Sequence, residues 1–75
     1  MNNQEIAQNI GKNIKIKRVI LGMSQLELSK KAKINQGHLS LIENGRKIAS
    51  IPILHRIAVS LNTTVSDLIC EKYQK

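Results

Sequence analysis

The chain has 75 residues, 41% of them hydrophobic, which is enough for one small domain with a single modest core. Its 12 Lys and Arg against 5 Asp and Glu give a formal net charge of +7, which favours nucleic acid as partner over a merely soluble basic domain. Phe and Trp are absent and Tyr73 is the single aromatic residue, which argues against binders that stack bases on aromatic rings. No apolar stretch suits a signal peptide or a membrane span, and there is one cysteine, Cys70. We therefore expect a cytoplasmic protein with no membrane contact.

Apolar residues spaced three, four and seven positions apart predict a first helix from about Glu5 to Leu21. Gly22 follows at the position where helices commonly end in a left-handed residue. Ile16 and Val19 lie on the opposite face and are either a small second contact surface or scattered exposed side chains. The core stripe of the helix is Ile6, Ile10, Ile14 and Leu21, with Lys17 or Arg18 in the same series.

A second and a third helix follow with almost no chain between them. The stretch Ser24–Glu27 is a capping box, in which the hydroxyl and the carboxylate each accept a backbone N–H group. This second helix ends near Ala32, and two residues later Asn35 is a good N-cap for a third helix that runs to about Asn44. Gly45 stops the third helix. Two short helices so close together must cross steeply, as in a helix-turn-helix.

Two further helices complete the pattern. Ser50 is the N-cap of a fourth helix, and Pro52 is tolerated in its first turn. The stretch Thr64–Asp67 resembles a last capping box and opens a fifth helix through Ile69. The sequence thus predicts an all-α, five-helix domain over residues 1–75, with an ordered core of about 5–70. The apolar stripe of the fourth helix is Ile53, Leu54, Ile57, Ala58 and Leu61.

The third helix has an outward face without charge, which is unusual for a solvated helix in so basic a protein. At 100° per residue, Leu39 and Ile42 point to the core. The opposite face suits the reading of base edges, because Gln36 can pair with adenine, Ser40 can donate or accept, and Leu41 can touch a thymine methyl. From this helix alone, a small polar face in water is an equal alternative. A separate alternative for Leu41 is partial burial. The outward residues are Gly37, Ser40, Leu41 and Asn44, with Gln36 beside them.

From Gly22 to Gly45 the chain resembles the Cro and phage-repressor type of helix-turn-helix, the XRE family. The matching stretches are Ile10–Gly11, Gly22–Leu28, Ile34–Asn35 and Ile42–Arg46, and the run from Ser50 to Leu68 fits the fourth and fifth helices of the family. Their joint occurrence is specific, and the resemblance covers about Ile10 to Ile69. It implies a lambda-repressor-like fold and DNA binding. The chain departs from the family at Lys33, where the turn usually has Gly, so a left-handed residue there would cost about 1 kcal/mol.

The resemblance also implies residue roles. Gln25 would hold a phosphate through its side chain and the helix N-terminus, and Arg18 and Glu43 would form an ion pair between the first and third helices. The recognition helix, about residues 35–44, would enter the major groove. We expect the base-reading set to be Asn35, Gln36, Gly37, Ser40 and Leu41, and the phosphate-contacting set to be Gln25, His38, Asn44, Arg46 and Lys47.

One recognition helix reads few base pairs, so we expect a homodimer on a palindromic operator, with half-sites about one helical turn apart. The C-terminal segment has more apolar surface than one short helix can bury, and similar regulators also pair through this region. The predicted dimer interface is Val65, Leu68, Ile69 and Tyr73.

Catalytic and metal chemistry is not indicated. Two His and one Cys without paired spacing do not make a zinc site within one chain, and His55 and Cys70 have no third orienting group for a nucleophile. We expect no enzyme activity, no cofactor and, because five helices use almost the whole chain, no small-molecule effector. The sequence therefore predicts a transcriptional regulator, either a phage-type repressor or a restriction–modification controller. The alternative is an antitoxin or anti-repressor that binds protein, for which exposed Ile16, Val19 and Ile48 would be the evidence.

Overall fold

The computed structural model describes residues 2–70, and Met1 and residues 71–75 lie outside this range. Within it the chain is all-helical, as the sequence predicts. The five helices are α1 (Asn3–Ile20), α2 (Gln25–Ala32), α3 (Gln36–Glu43), α4 (Ile51–Ser60) and α5 (Val65–Ile69). Helix α3 packs mainly against α1 and α2, while α4 packs against α2 and α5, and α5 also lies against α1.

Side chains of the expected type cap the helices. Ser24, Asn35, Ser50 and Thr64 each accept the backbone N–H of the residue three positions later, at the starts of α2 to α5. Helix α1 begins earlier than predicted, because Asn2 and Glu5 form a reciprocal capping box before Asn3. These caps satisfy backbone donors that would otherwise have no partner, and they fix where each helix begins.

One core lies between the helices and is built almost wholly from aliphatic side chains. The predicted stripes point into it, with one exception at the end of α1. Leu21 is the C-cap residue and is 44% exposed, since α1 ends at Ile20 and the chain turns away there. The largest buried apolar side chains of the core are Ile14, Leu28, Leu39, Ile42, Ile57, Leu61 and Leu68.

Gly11 allows α1 and α3 to approach closely. A Cβ atom at this position would lie 2.2 Å from the carbonyl oxygen of Ile42 and 2.6 Å from that of Glu43. Both obstacles are backbone atoms, which cannot swing aside as a side chain can. A glycine is therefore needed for α3 to lie where it does.

Two buried asparagines on α1 hold the end of α5. The Nδ2 group of Asn9 donates to the carbonyls of Ile69 (3.0 Å) and Cys70 (3.3 Å). That of Asn13 donates to the carbonyls of Leu68 (2.9 Å) and Cys70. A five-residue helix forms few bonds of its own, so these contacts place its C-terminal end. Of the helices within residues 2–70, none is both long and apolar enough to cross a membrane.

Candidate nucleic-acid interface

The turn before α3 sets the direction of that helix. Lys33 adopts the left-handed conformation, with φ 57° and ψ 47°, at the position where the resemblance leads one to expect glycine. Asn35 then accepts the N–H of His38 at 3.2 Å and starts α3. The short connection makes α2 and α3 cross as a helix-turn-helix.

The outward face of α3 is largely open to solvent. Asn35, Gln36 and Gly37 are exposed at its N-terminal end, and Leu41 is 43% exposed one turn later. Ser40 between them is half-buried, and its Oγ lies 3.5 Å from the Nδ2 of Asn44. Leu39 and Ile42 are fully buried on the other side. Four of the five predicted base-reading residues are therefore exposed on this uncharged surface, and Ser40 is half-buried among them.

An ion pair fixes the C-terminal end of α3. The Nε and Nη2 groups of Arg18 donate to the two carboxylate oxygens of Glu43, at 2.8 and 3.0 Å. The Nη1 group donates to the carbonyl of Met23 at 2.9 Å, so the same side chain also holds the α1–α2 turn. The bonds to Glu43 raise the pKa of Arg18 above its ordinary value.

Gln25 has a second partner that the sequence does not reveal. Its Nε2 group donates to Glu43 Oε1 at 3.2 Å, which ties the first residue of α2 to the last residue of α3. The amide has another hydrogen, and the first turn of a helix has backbone N–H groups without intrahelical partners. A phosphate at the start of α2 would therefore meet donors whose position depends on Glu43.

A cleft of about 740 Å³ lies between the loop after α3 and the first turns of α1. Arg46 and Lys47 are exposed on the loop and supply two cations, and Gly45 makes the turn with φ +73°. The α1 side of the cleft consists of uncharged groups that sequence reasoning missed, although the run of amide residues at the N-terminus was a signal. Those residues are Asn3, Gln4, Ala7 and Gln8.

His38, which the sequence places in the phosphate-contacting set, lies at the flank of the recognition helix. The side chain is half-buried, and its Nε2 atom is buried without a hydrogen-bond partner among residues 2–70. The contact of His38 with a phosphate stays a prediction.

The four residues of the predicted dimer interface differ in burial. Leu68 is 2% exposed and belongs to the core of its own chain, because a short α5 must turn its central apolar side chain inward; its assignment to an interface is corrected. Val65 is half-buried and packs against the same core, while Ile69 is 49% exposed. Tyr73 lies outside the described residues.

Groups that could support other chemistry are few in the described part of the chain. Within residues 2–70, no three His, Cys, Asp or Glu side chains come together as a metal-binding group. Cys70 is an exposed free thiol. The features that stand out are the exposed face of α3 and the cations beside it.

Two short crossed helices, the second with an exposed uncharged face beside a basic loop, define a helix-turn-helix DNA-binding domain. The chain belongs to the HTH_3 helix-turn-helix family, whose profile matches residues 14–68. Comparison with curated protein sequences gives no significant match.

Several solved structures, a gene regulator among them, have the same fold. The clp gene regulator ClgR from Corynebacterium glutamicum is 26% identical, with a TM-score of 0.85 over 92% of this chain and 73% of that one. The restriction-modification controller protein C.AhdI from Aeromonas hydrophila is 19% identical, with a TM-score of 0.80 over 83% and 94%, which supports the fold alone. A chain of the SinR protein/SinI protein complex is 35% identical over 87% of this chain and 64% of its own length, with a TM-score of 0.82. The family and these neighbours identify a DNA-binding transcriptional regulator rather than an enzyme.

Proposed function

We propose that this protein acts in the cytoplasm as a homodimer that binds a palindromic operator in double-stranded DNA. Each copy inserts α3 into the major groove of one half-site. The observation that carries the proposal is the outward face of α3, which is accessible and uncharged in a protein of net charge +7. Base edges are read by uncharged donors, acceptors and methyl contacts, whereas a general affinity for DNA needs only cations.

The exposure of the groups around α3 supports this mode of docking. Gln36 and Leu41 are exposed where base edges would lie, and Arg46 and Lys47 are exposed on the adjoining loop, where they can neutralise phosphates. Gln25, at the start of α2, can bind a further phosphate through its remaining amide hydrogen and the helix N-terminus. The proposed base-reading groups thus lie on α3, and the proposed phosphate-binding groups lie on the adjoining loop and at the start of α2.

Selection of bound sequences from random duplexes by the purified protein tests the proposal. We expect an inverted repeat with half-site centres about 10 base pairs apart. On the selected duplex, affinity should fall at least about tenfold between low and moderate salt, because each neutralised phosphate contributes a log–log slope of about −0.9. Binding without sequence preference, or without salt dependence, would contradict the proposal. A reporter transcribed from a promoter with that operator distinguishes repression, as by a phage-type repressor, from activation, as by a restriction–modification controller.

A second candidate function is binding to a protein, in the manner of an antitoxin or anti-repressor. The observation that favours it is the set of exposed apolar side chains, with Val19 59% and Ile48 46% exposed. Ile16, which the sequence also suggests as exposed, is half-buried in the structure and does not belong to this set. An apolar protein contact persists at high salt, whereas phosphate contacts do not. The purified protein would be tested for a protein partner that remains bound to it at 1 M salt. Loss of that partner with Val19→Asp would support this second function.

A further inference from the structure

Arg56 on α4 contacts the turn between α2 and α3. Its Nε group donates to the carbonyl of Ala32 at 2.9 Å, and its Nη2 group donates to the carbonyl of Lys33 at 3.2 Å. One planar guanidinium thus joins the last residue of α2 to the left-handed residue that follows it. A charged donor at these carbonyls is favourable because they form the negative end of the helix dipole.

The turn that Arg56 holds is short and strained. Lys33 has a left-handed backbone conformation, which is unfavourable for any residue with a Cβ atom. The N–H of Lys33 bonds to the carbonyl of Lys30 at 3.2 Å, and the N–H of Ile34 bonds to that of Ser29 at 2.9 Å, which closes the end of α2. Asn35 starts α3 immediately afterwards, so the backbone angles at this turn decide where α3 points.

Small rotations at this turn have large effects on DNA contacts. Eight residues make α3 about 12 Å long, and a tilt of about 10° at one end moves the other by about 2 Å. Such a shift is enough to break a hydrogen bond to a base edge. Arg18 holds the far end of α3 through Glu43, and Arg56 holds the turn at its near end.

We propose that Arg56 is a positioning residue for sequence recognition. It fixes the α2–α3 turn and thereby the angle at which α3 meets the bases, without touching DNA itself. This inference rests on the proposed function, since it concerns how α3 reads its operator. Two simpler roles must be distinguished from it: Arg56 as one more positive charge for the DNA backbone, and Arg56 as a general stabiliser of the fold.

Amide hydrogen exchange in the DNA-free protein tests the effect on the turn. Arg56→Lys keeps the charge but loses the planar fork that reaches two carbonyls. We expect the amides of Lys33 and Ile34 to exchange about three- to tenfold faster in this variant. The control, Lys31→Gln, removes a charge from the surface depression that Lys31 lines together with Arg56, and it should leave both rates as in the wild type. Equal rates in Arg56→Lys and the wild type would overturn the inference.

The second measurement is the ratio of affinities for the selected operator and for a scrambled duplex. Arg56→Lys should lower this ratio about three- to tenfold while keeping the affinity for scrambled DNA and its salt slope. Any effect of Lys31→Gln should lower the affinity for both duplexes by the same factor, because this substitution changes only charge. Thr63→Ala, which removes the hydroxyl that donates to Asp67, is the control for stability: it should lower the unfolding temperature and leave the ratio unchanged.

These outcomes distinguish a failure of the proposed function from a failure of the role of Arg56. If the wild type selects no operator, the proposed function fails, and the role of Arg56 in recognition fails with it. If the wild type is selective and Arg56→Lys keeps the full ratio, only the inference about Arg56 is overturned. A fall in the ratio together with faster exchange at Lys33 and Ile34 supports it.

Discussion

Arg18 and Glu43 form a two-pronged ion pair across the interface of α1 and α3, with N–O distances of 2.8 and 3.0 Å. The side chains are 12% and 2% exposed, so the carboxylate is almost wholly removed from water. A buried carboxylate is tolerated only when charge and hydrogen bonds compensate its desolvation. The pair therefore restricts α3 to the one position in which Glu43 meets the arginine.

Replacement of Glu43 by Ala should lower the free energy of unfolding by about 1–3 kcal/mol, since Arg18 then loses two charge-assisted hydrogen bonds in a half-buried place. Denaturant unfolding of the wild type, Glu43→Ala, Arg18→Ala and the double variant measures the loss and the coupling. The double variant should recover part of the sum of the single losses. Strictly additive losses would show that the two side chains do not interact in solution.

Gly11→Ala should destabilise the fold by about 1–3 kcal/mol, because the new methyl group meets backbone carbonyls of α3 rather than a movable side chain. Helix propensity acts in the opposite direction, by about 0.5–1 kcal/mol, and is the smaller effect. Gly22→Ala is the control: its methyl group meets nothing within 4 Å, and its cost is limited to about 1 kcal/mol for a left-handed alanine. A Gly11→Ala variant as stable as the wild type would mean that α1 and α3 lie farther apart.

The capping box of α2 should make stability depend on pH. The Ser24 backbone N–H, which donates to Glu27 Oε1 at 2.9 Å, holds the pKa of Glu27 below its ordinary value of 4.5, and the Ser24 side chain lowers it further. A carboxyl whose pKa is lower in the folded state stabilises the fold above its unfolded pKa, and this contribution is lost as the pH falls through the folded pKa.

Unfolding of the wild type and of Glu27→Gln from pH 7 down through the acid range checks this dependence. The wild type should be the more stable at neutral pH, and the difference should shrink as the pH falls below 4.5. A difference that stays constant throughout the acid range would contradict the role assigned to the carboxylate.

Local features of the fold could be predicted from the sequence, and distant contacts could not. The caps Ser24, Asn35 and Ser50 act on backbone groups three residues away, so their pattern is visible in a short window. Asn9 and Asn13 were not predicted, because their partners in α5 lie more than fifty residues along the chain and an amide side chain gives no sign of burial. Leu68 was assigned to an interface because its pattern shows that it is apolar but not which surface covers it.

The candidate site likewise has features that could be predicted from the sequence and features that could not. The outward face of α3 follows from helix periodicity, and the Arg18–Glu43 pair was available only through the family resemblance. The bond from Gln25 to Glu43 and those from Arg56 to the α2–α3 turn depend on how side chains meet in space. No spacing in the sequence encodes them.

Gln36→Ala and Arg46→Ala should affect DNA binding in different ways. The first should lower the preference for the operator by about 1–3 kcal/mol, since the lost amide discriminates between bases. The second should weaken operator and scrambled duplexes alike and reduce the salt slope, since phosphate contacts carry no sequence information. Titrations of both variants on both duplexes measure the effects. Equal losses on the two duplexes with Gln36→Ala would remove it from the base-reading set.

Dimerisation through α5 is the remaining expectation, and the structure narrows its surface to few residues. Leu68 is in the core, so Ile69, at 49% exposure, is the accessible apolar side chain of that helix, with Val65 half-buried beside the core. In a twofold-symmetric dimer the same patch meets itself, so a charge placed there opposes its own copy.

Ile69→Asp should therefore give a folded monomer that binds a single half-site weakly and loses the preference for the paired operator. Sedimentation at micromolar concentration measures the oligomeric state, and circular dichroism confirms that the variant is folded. Val59→Asp is the matched control, because Val59 is 60% exposed on α4 and a charge there should leave the dimer intact. A wild type that is monomeric in solution and on the full operator would contradict pairing through α5. Monomers would then bind the two half-sites independently.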